Sequence, residues 1–328
     1  MSRTIVNDNS TVLHLATLAG WYRFEALGDD WTRTARALTY WSASCLAVDP
    51  LDRRVLYVGS ERSGLFVSRD GGASWARPQP NVPRLSLFSV LALPGAVLAG
   101  TVPAALYRGN ANGGRWEELD DVRRGGSAGS FPPNPDLGTR TRYLAQDPND
   151  PERLYAGIEV GGLLVSDDGG ASWGGANEGL TDPDVHQVAP SATRPGLVLA
   201  ACGEGVFRST DRAAHWQEVT APGGRTYGMA VTEDASGAWY LGITRGRPNT
   251  WLRAERADGA VFRSTDGGAT WEPAAEGLAG GIMDLCRGPG AEGVLAATSE
   301  GEVLAVDAAG CRTVLRDLPC ITAVALAG

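Results

Sequence analysis

The chain has 328 residues, a formal net charge of −9 and 29 basic side chains, all of them arginine because lysine is absent. The negative balance argues against a general nucleic-acid binder, and the absence of lysine removes Schiff-base chemistry on that residue. No apolar stretch reaches about eighteen residues and the opening MSRTIVNDNS has no apolar core. Neither a membrane span nor a signal peptide is therefore read, and the expectation is a cytoplasmic monomer with no membrane partner. Five cysteines, an odd number without Cys-x-x-Cys or Cys/His ligand spacing, point to reduced thiols. No metal or cofactor is expected.

Taken in chain order, the sequence repeats one unit. The phrase Ser-x-Asp-x-Gly-x-x-Trp occurs intact three times, at Ser68–Trp75, Ser166–Trp173 and Ser264–Trp271. The longer frame around it aligns residues 46–75 with 144–173, and weaker copies end at Trp31, Trp116 and Trp216, with a last one near the C-terminus. A recurring period of this length marks a chain built from one supersecondary unit. Each copy holds four short apolar runs bounded by Gly, Pro, Asp and Asn, the pattern of antiparallel strands joined by tight turns. Seven such units, packed radially, supply a neighbour for every sheet face.

The expected fold is thus all-β, a seven-bladed propeller forming one domain. Its blades run over 11–38 plus 320–328, then 42–80, 86–120, 141–178, 185–220, 226–276 and 281–318. The first copy lacks its opening strand, and the last segment CITAVALAG at 320–328 has the form of that strand with nothing after it. Pairing the two closes the ring and removes exposed sheet edges.

On these motifs the chain resembles the BNR or Asp-box repeat propellers, a group that includes sialidases, xyloglucanases, sortilin-type domains and photosystem II assembly factors. The resemblance covers nearly the whole chain and implies fold far more strongly than activity. It places the Asp box in a structural turn between the third and fourth strands. The residue chemistry agrees: Asp70, Asp168 and Asp266 can accept backbone N–H bonds within the turn, and the tryptophans can pack between blades.

Function in such folds sits at the mouth of the central channel. Two connections on one face are long, 117–141 and 244–258, and are expected to wall or cover a site. The starts of the innermost strands there align as Ser44 and Cys45, Phe88 and Ser89, Arg142 and Tyr143, His186 and Gln187, Tyr227 and Gly228, Met283 and Asp284, and Thr322. A second ring brings Glu61, Arg62, Glu159, Cys202, Glu204, Arg245, Arg247 and Glu300. His186, Tyr227 and Asp284 are the candidate catalytic groups. Arg142, Arg245, Arg247, Arg62, Tyr143, Glu159 and Cys202 are candidate ligand-binding groups, with Arg142 and Arg245 read as clamps for an anion. Simple solvation of a water-filled channel is the plainer reading of the same ring.

Several chemistries fit these types. A sialidase-type site would use an arginine cluster from Arg62, Arg142, Arg245 or Arg247 with Tyr227 as nucleophile, yet the arginine-isoleucine-proline motif that the resemblance calls for is missing. A xyloglucanase-type site needs two aspartates, for which Asp284 and Asp184 can be offered. A His186–Cys202 nucleophile pair is set against ordinary packing of the thiol. The expected function is a propeller with a top-face site for a polar, anionic small ligand, glycoside hydrolase-like or another hydrolase or lyase. The alternative is a protein-binding propeller using the rim arginines Arg123, Arg124, Arg140, Arg245, Arg247, Arg253 and Arg256.

Overall fold

The computed structural model describes residues 11–28, 30–119, 138–251 and 257–327. They form seven antiparallel sheets. Six have four strands, and the blade opening at Ala43–Val48 has three plus a single bridge between Val67 and Ala76. The innermost strands are Ile321–Ala327, Ala43–Val48, Leu87–Leu93, Arg140–Asp147, Val185–Pro190, Tyr227–Glu233 and Ile282–Arg287, for blades 1 to 7 in that order. The C-terminal strand Ile321–Ala327 pairs antiparallel with Val12–Thr17, so blade 1 is completed by the chain's two ends.

The second and third strands of most blades are buried on both faces, as in Leu56–Ser60 and Gly64–Ser68, and this is why they read as continuous apolar runs. Seven separate apolar cores result, each between one blade and the next. Tyr57 and Tyr107 share the core between blades 2 and 3, and Tyr155 and Phe207 that between blades 4 and 5.

The Asp-box aspartates staple their own turns. Asp168 accepts from the Ser166 hydroxyl at 2.7 Å, the Ser172 amide at 2.8 Å and the Ser172 hydroxyl at 2.5 Å. Those bonds, the Ser172 hydroxyl foremost, hold its carboxyl down at about 2. Asp211 does the same in a degenerate box with His215, and Asp266 with Thr270. The box also fixes blade packing. Gly72, at φ +91, lies so close to Trp21 of blade 1 that a Cβ would fall 2.0 Å from the indole. Trp21 in turn meets Trp75 edge-on at 5.0 Å.

Candidate functional site

One irregularity recurs at the start of all seven innermost strands. The register against the second strand shifts by one, leaving Thr322, Ser44, Phe88, Arg142, His186, Met229 and Met283 unpaired. Such bulges re-aim a side chain and free a neighbouring carbonyl. In four junctions that carbonyl is taken by the preceding blade. Thr322 Oγ1 donates to Ala43 O at 2.8 Å and Ser44 Oγ to Leu87 O at 2.6 Å. Ser89 Oγ donates to Thr141 O at 2.7 Å, and His186 Nδ1 lies 2.6 Å from Gly228 O. The ring is welded at one level by side chains that the bulges position.

These residues surround a central cavity of about 790 Å³, whose wall includes Arg140, Arg142, Tyr143, His186, Gln187 and Asp284. Next to it, ionisable groups gather where blades 4, 5 and 6 meet, of which Arg140, Arg142 and His186 reach the cavity wall. Glu159 sits between two guanidinium groups, 3.2 Å from Arg140 and 3.6 Å from Arg142, and Arg140 lies over the Phe88 ring at 4.6 Å. Beside them, His186 Nε2 lies 3.4 Å from Asp184 Oδ1 without a hydrogen bond between them, and both atoms are buried with no other partner. The His186 ring packs on Tyr227 at 4.7 Å. Burial works against the Asp184 charge, but His186, Arg247 and Arg142 together hold its carboxyl below the ordinary value.

Deeper in the channel, Asp284 accepts Leu285 N and Val324 N, each at 2.9 Å, and the Gln187 amide at 3.4 Å. Gln187 Oε1 in turn accepts Val231 N at 2.8 Å. Burial raises Asp284 to about 6 in spite of these donors and of Arg142. Burial also pushes the Tyr143 hydroxyl up, Asp284 adding to it and Gln187 opposing.

Several sequence expectations need correction. Tyr227 does not occupy the ring position equivalent to His186, because the blade 6 bulge falls on Met229. Its hydroxyl is driven up to about 12 by burial and by Asp184 and Glu159, the reverse of what a phenolate nucleophile requires. Cys202 pairs with Val185, and the bulge takes His186 out of that register. The thiol is fully buried among Tyr155, Val188 and Phe207, and burial, with Asp182 and Asp184, raises it well above the normal range. It is a core residue and not a ligand or nucleophile. Arg245 is held by Asp258, which also binds Arg225, so Arg142 and Arg245 form no joint clamp. Arg247 lies 3.7 Å from Glu204, and Arg62 is exposed, its backbone N–H turned to Ser60. His186 Nδ1 is taken up by Gly228 O and Nε2 is buried, so neither nitrogen is open to the channel as a free base.

Of the long connections, 120–137 and 252–256 lie outside the described residues, and Arg123, Arg124, Arg253 and Arg256 with them. The described part of the second connection includes the short helix Pro248–Trp251, with Pro248 on the cavity wall and Trp251 packed over Gly281. Among the described residues, no group of three or more His, Cys, Asp or Glu is arranged to hold a metal, and no helix is long and apolar enough to cross a membrane.

Seven blades arranged in a ring and closed by the pairing of the chain's two ends define the fold as a seven-bladed β-propeller. The BNR/Asp-box repeat family pattern matches residues 262–273, in blade 6. The xyloglucanase Xgh74A of Acetivibrio thermocellus is 31% identical over 159 residues, covering 39% of this chain and 19% of that protein. The oligoxyloglucan-reducing end-specific xyloglucanase of Emericella nidulans is 29% identical over 187 residues, 51% of this chain and 20% of that protein. The chain thus spans about a fifth of the length of the curated relatives it matches. Among solved structures, the GH74 xyloglucanase from Xanthomonas campestris matches with a TM-score of 0.64 and 21% identity, over 89% of this chain and 49% of that one. YCF48 bound to D1 peptide matches with a TM-score of 0.57 and 15% identity, over 94% and 86%. At those identities the structural likeness is one of fold.

Proposed function

We propose that this propeller is glycoside hydrolase-like in function and that the channel mouth binds a hydroxyl-rich glycoside. The supporting observation is a cavity wall that carries Arg140, Arg142, His186, Gln187 and Asp284 together, with Glu159 paired to both arginines. A sugar diol donates to a carboxylate and accepts from a guanidinium, so such a wall matches neighbouring hydroxyls. Because each arginine already faces a carboxylate, a simple anion gains less here than the arginine count suggests. The names of the matched relatives make xyloglucan oligosaccharides the first ligands to test. For bond cleavage, Asp284 is the group suited to donate a proton, since a carboxyl at about 6 retains one in mildly acidic solution.

The test is a thermal-shift and calorimetric screen of the protein against xyloglucan oligosaccharides, other β-glucans and sugar acids, repeated on Arg142→Ala. At a hundredfold excess over its Kd, a ligand stabilises the fold by about 2.7 kcal/mol. The reading requires a neutral oligosaccharide that stabilises wild type and loses affinity in Arg142→Ala. Stabilisation by sugar acids alone restores the anionic reading, and stabilisation by none removes the glycoside. A protein partner is the second reading. It is favoured by the exposed apolar side chains on the same face, with Tyr40 92% and Leu18 51% accessible.

A further inference from the structure

The charges on the wall of the central cavity are unequally paired. Among the described residues three arginines line it, and each meets a carboxylate: Arg140 and Arg142 meet Glu159, and Arg287 meets Glu233 at 3.8 Å. Two carboxylates line it, Glu61 just after the second strand of blade 2 and Asp284 in the inner strand of blade 7. Neither makes an ion pair with any described residue, and the Glu61 carboxylate has no hydrogen-bond partner among them either. The unbalanced charge of the cavity is therefore negative, although arginines outnumber carboxylates on its wall.

The surroundings of Asp284 suit an anion. Its Oδ1 accepts Leu285 N and the Gln187 amide, its Oδ2 accepts Val324 N, and all three partners are neutral donors. Gln187 is fixed in this orientation, because its Oε1 is taken by Val231 N and its amide nitrogen is thereby turned to Asp284. A carboxylate offers about four lone-pair positions, so Oδ2 keeps one to spare. Asp284 is half-buried and stands on the cavity wall, where a ligand can reach it. An enclosed anion held by neutral donors alone carries an electrostatic cost that a cation relieves. Burial lifts its carboxyl to about 6, which is the same cost expressed toward a proton.

We propose that the central cavity binds an organic ammonium, with the cationic nitrogen seated on Asp284 and Glu61 drawing the same charge toward the channel. A hard metal ion needs several oxygen ligands, and no three His, Cys, Asp or Glu among the described residues are arranged to supply them. An ammonium needs one strong acceptor. The wall adds the Tyr143 ring and the thioethers of Met229 and Met283 as polarisable surface for the carbon skeleton, in a volume of about 790 Å³ that suits a small molecule. A cationic ligand does not depend on the glycoside reading, which concerns hydroxyl groups. Seated on Asp284, it keeps the carboxyl ionised and opposes its use as a proton donor.

The probe is 1,4-diaminobutane, whose alkylammonium groups stay charged to well above neutral pH, measured by calorimetry on the whole protein at low salt against the neutral 1,4-butanediol. At pH 7.5 the diamine should bind at least about tenfold more tightly than the diol, and Asp284→Asn should remove that preference. Glu272→Gln deletes an exposed carboxylate on the outer strand of blade 6 and should leave it unchanged, which separates the cavity from general attraction to a chain of net charge −9. Wild type gives a second reading that needs no folded variant. A carboxyl at about 6 is almost fully ionised at pH 7.5 and about a tenth ionised at pH 5, so diamine affinity should fall about tenfold between them. Tyr143 of blade 4 and Cys286 of blade 7, both facing Asp284, are pushed up by burial and stay neutral over that range, and Arg142 of blade 4, like any arginine, keeps its charge. His186 of blade 5 and Glu61 of blade 2 share the wall, and the profile of Asp284→Asn, which should lose the tenfold fall, separates their contribution. Equal affinity for diamine and diol, no fall from pH 7.5 to 5, or a preference that Asp284→Asn keeps overturns the ammonium site. Xyloglucan oligosaccharides are titrated alongside. Oligosaccharides that bind while the diamine does not overturn the ammonium site and retain the glycoside reading, and the converse removes the glycoside reading alone.

Discussion

Glu233 tests whether the ring is held by buried hydrogen bonds between blades. It ends the inner strand of blade 6 at the face opposite the candidate site and is 2% exposed. Its Oε1 accepts the hydroxyls of Ser191 at 2.7 Å and Thr193 at 2.6 Å, and Oε2 accepts Ala192 N at 2.6 Å and Thr193 N at 3.4 Å, all from blade 5. Arg287 of blade 7 approaches Oε2 at 3.8 Å and donates to the Glu233 carbonyl. In Glu233→Ala the two hydroxyls can turn elsewhere, but the Ala192 and Thr193 N–H groups lose their acceptor. Loss of four bonds to the carboxylate, two of them from backbone donors left stranded, should cost about 3–5 kcal/mol. An unfolding entropy of about 2.1 cal/mol/K per residue converts that to a Tm fall of about 4–7 °C for a chain this long. Glu233→Gln can put its amide nitrogen on the hydroxyls and its oxygen on Ala192 N. It loses only the charge, and should fall by about 1.5–3 °C. Differential scanning calorimetry at one pH decides the matter. A Glu233→Ala variant within a degree of wild type, or a Gln variant as damaged as the Ala one, would refute the reasoning.

Other expectations follow from the same contacts. Arg142→Ala should weaken glycoside binding about tenfold or more, while Arg245→Ala, already committed to Asp258, should leave it unchanged; isothermal titration separates them. Gly72→Ala should lower stability by about 3 kcal/mol or more in a urea titration, because its Cβ meets Trp21 at 2.0 Å and its φ is +91. Asp284 has a folded-state value of about 6, above its unfolded 3.8, so the native state holds the extra proton. Its contribution to stability therefore declines as pH rises from about 4 to 6, and Asp284→Asn should flatten that part of a Tm-versus-pH curve. The Asp-box groups run the other way. Asp168, Asp211 and Asp266 are depressed to about 2, so the stability they add is present above 3.8 and is lost as pH falls toward 2. Replacing all three by Asn should blunt the acid limb of the same curve.

The repeat, the closure and the Asp boxes were legible because each rests on residue types that recur at a fixed spacing. Trp75, Trp173 and Trp271 mark the same turn in three blades, and CITAVALAG fits only the gap left in blade 1. The site was legible in part. Arg142, His186 and Asp284 were found because the frame locates the start of each inner strand. Tyr227 was placed two residues early, since nothing in the letters reveals that blade 6 bulges at Met229. The same unseen irregularity made Cys202 look like a partner for His186, when strand pairing gives it Val185. Arg140 and Asp184 were underweighted. Each stands two residues before a bulge residue that was found, as Arg140-x-Arg142 and Asp184-x-His186, a spacing that sets side chains on one side of an extended chain. That spacing was the available signal.

The seven bulges also suggest why a symmetric scaffold has an asymmetric site. A bulge leaves a carbonyl without its ladder partner, and burying it unsatisfied would be costly. Thr322, Ser44, Ser89 and His186 meet that demand in four junctions by reaching into the next blade. Short hydroxyl side chains do so without altering the channel. His186 does so with a ring whose second nitrogen is left buried, facing Asp184 Oδ1 at 3.4 Å. Arg142, the bulge residue of blade 4, instead turns to Glu159 and the cavity, bringing its charge to the wall beside that pair. The chemistry is concentrated at blades 4 and 5 because there the bulge residues are ionisable, Arg142 and His186, whereas blades 6 and 7 carry Met229 and Met283. Each of these side chains meets an acidic partner within its own blade, Arg142 with Glu159 and His186 with Asp184, and also stands on the cavity wall.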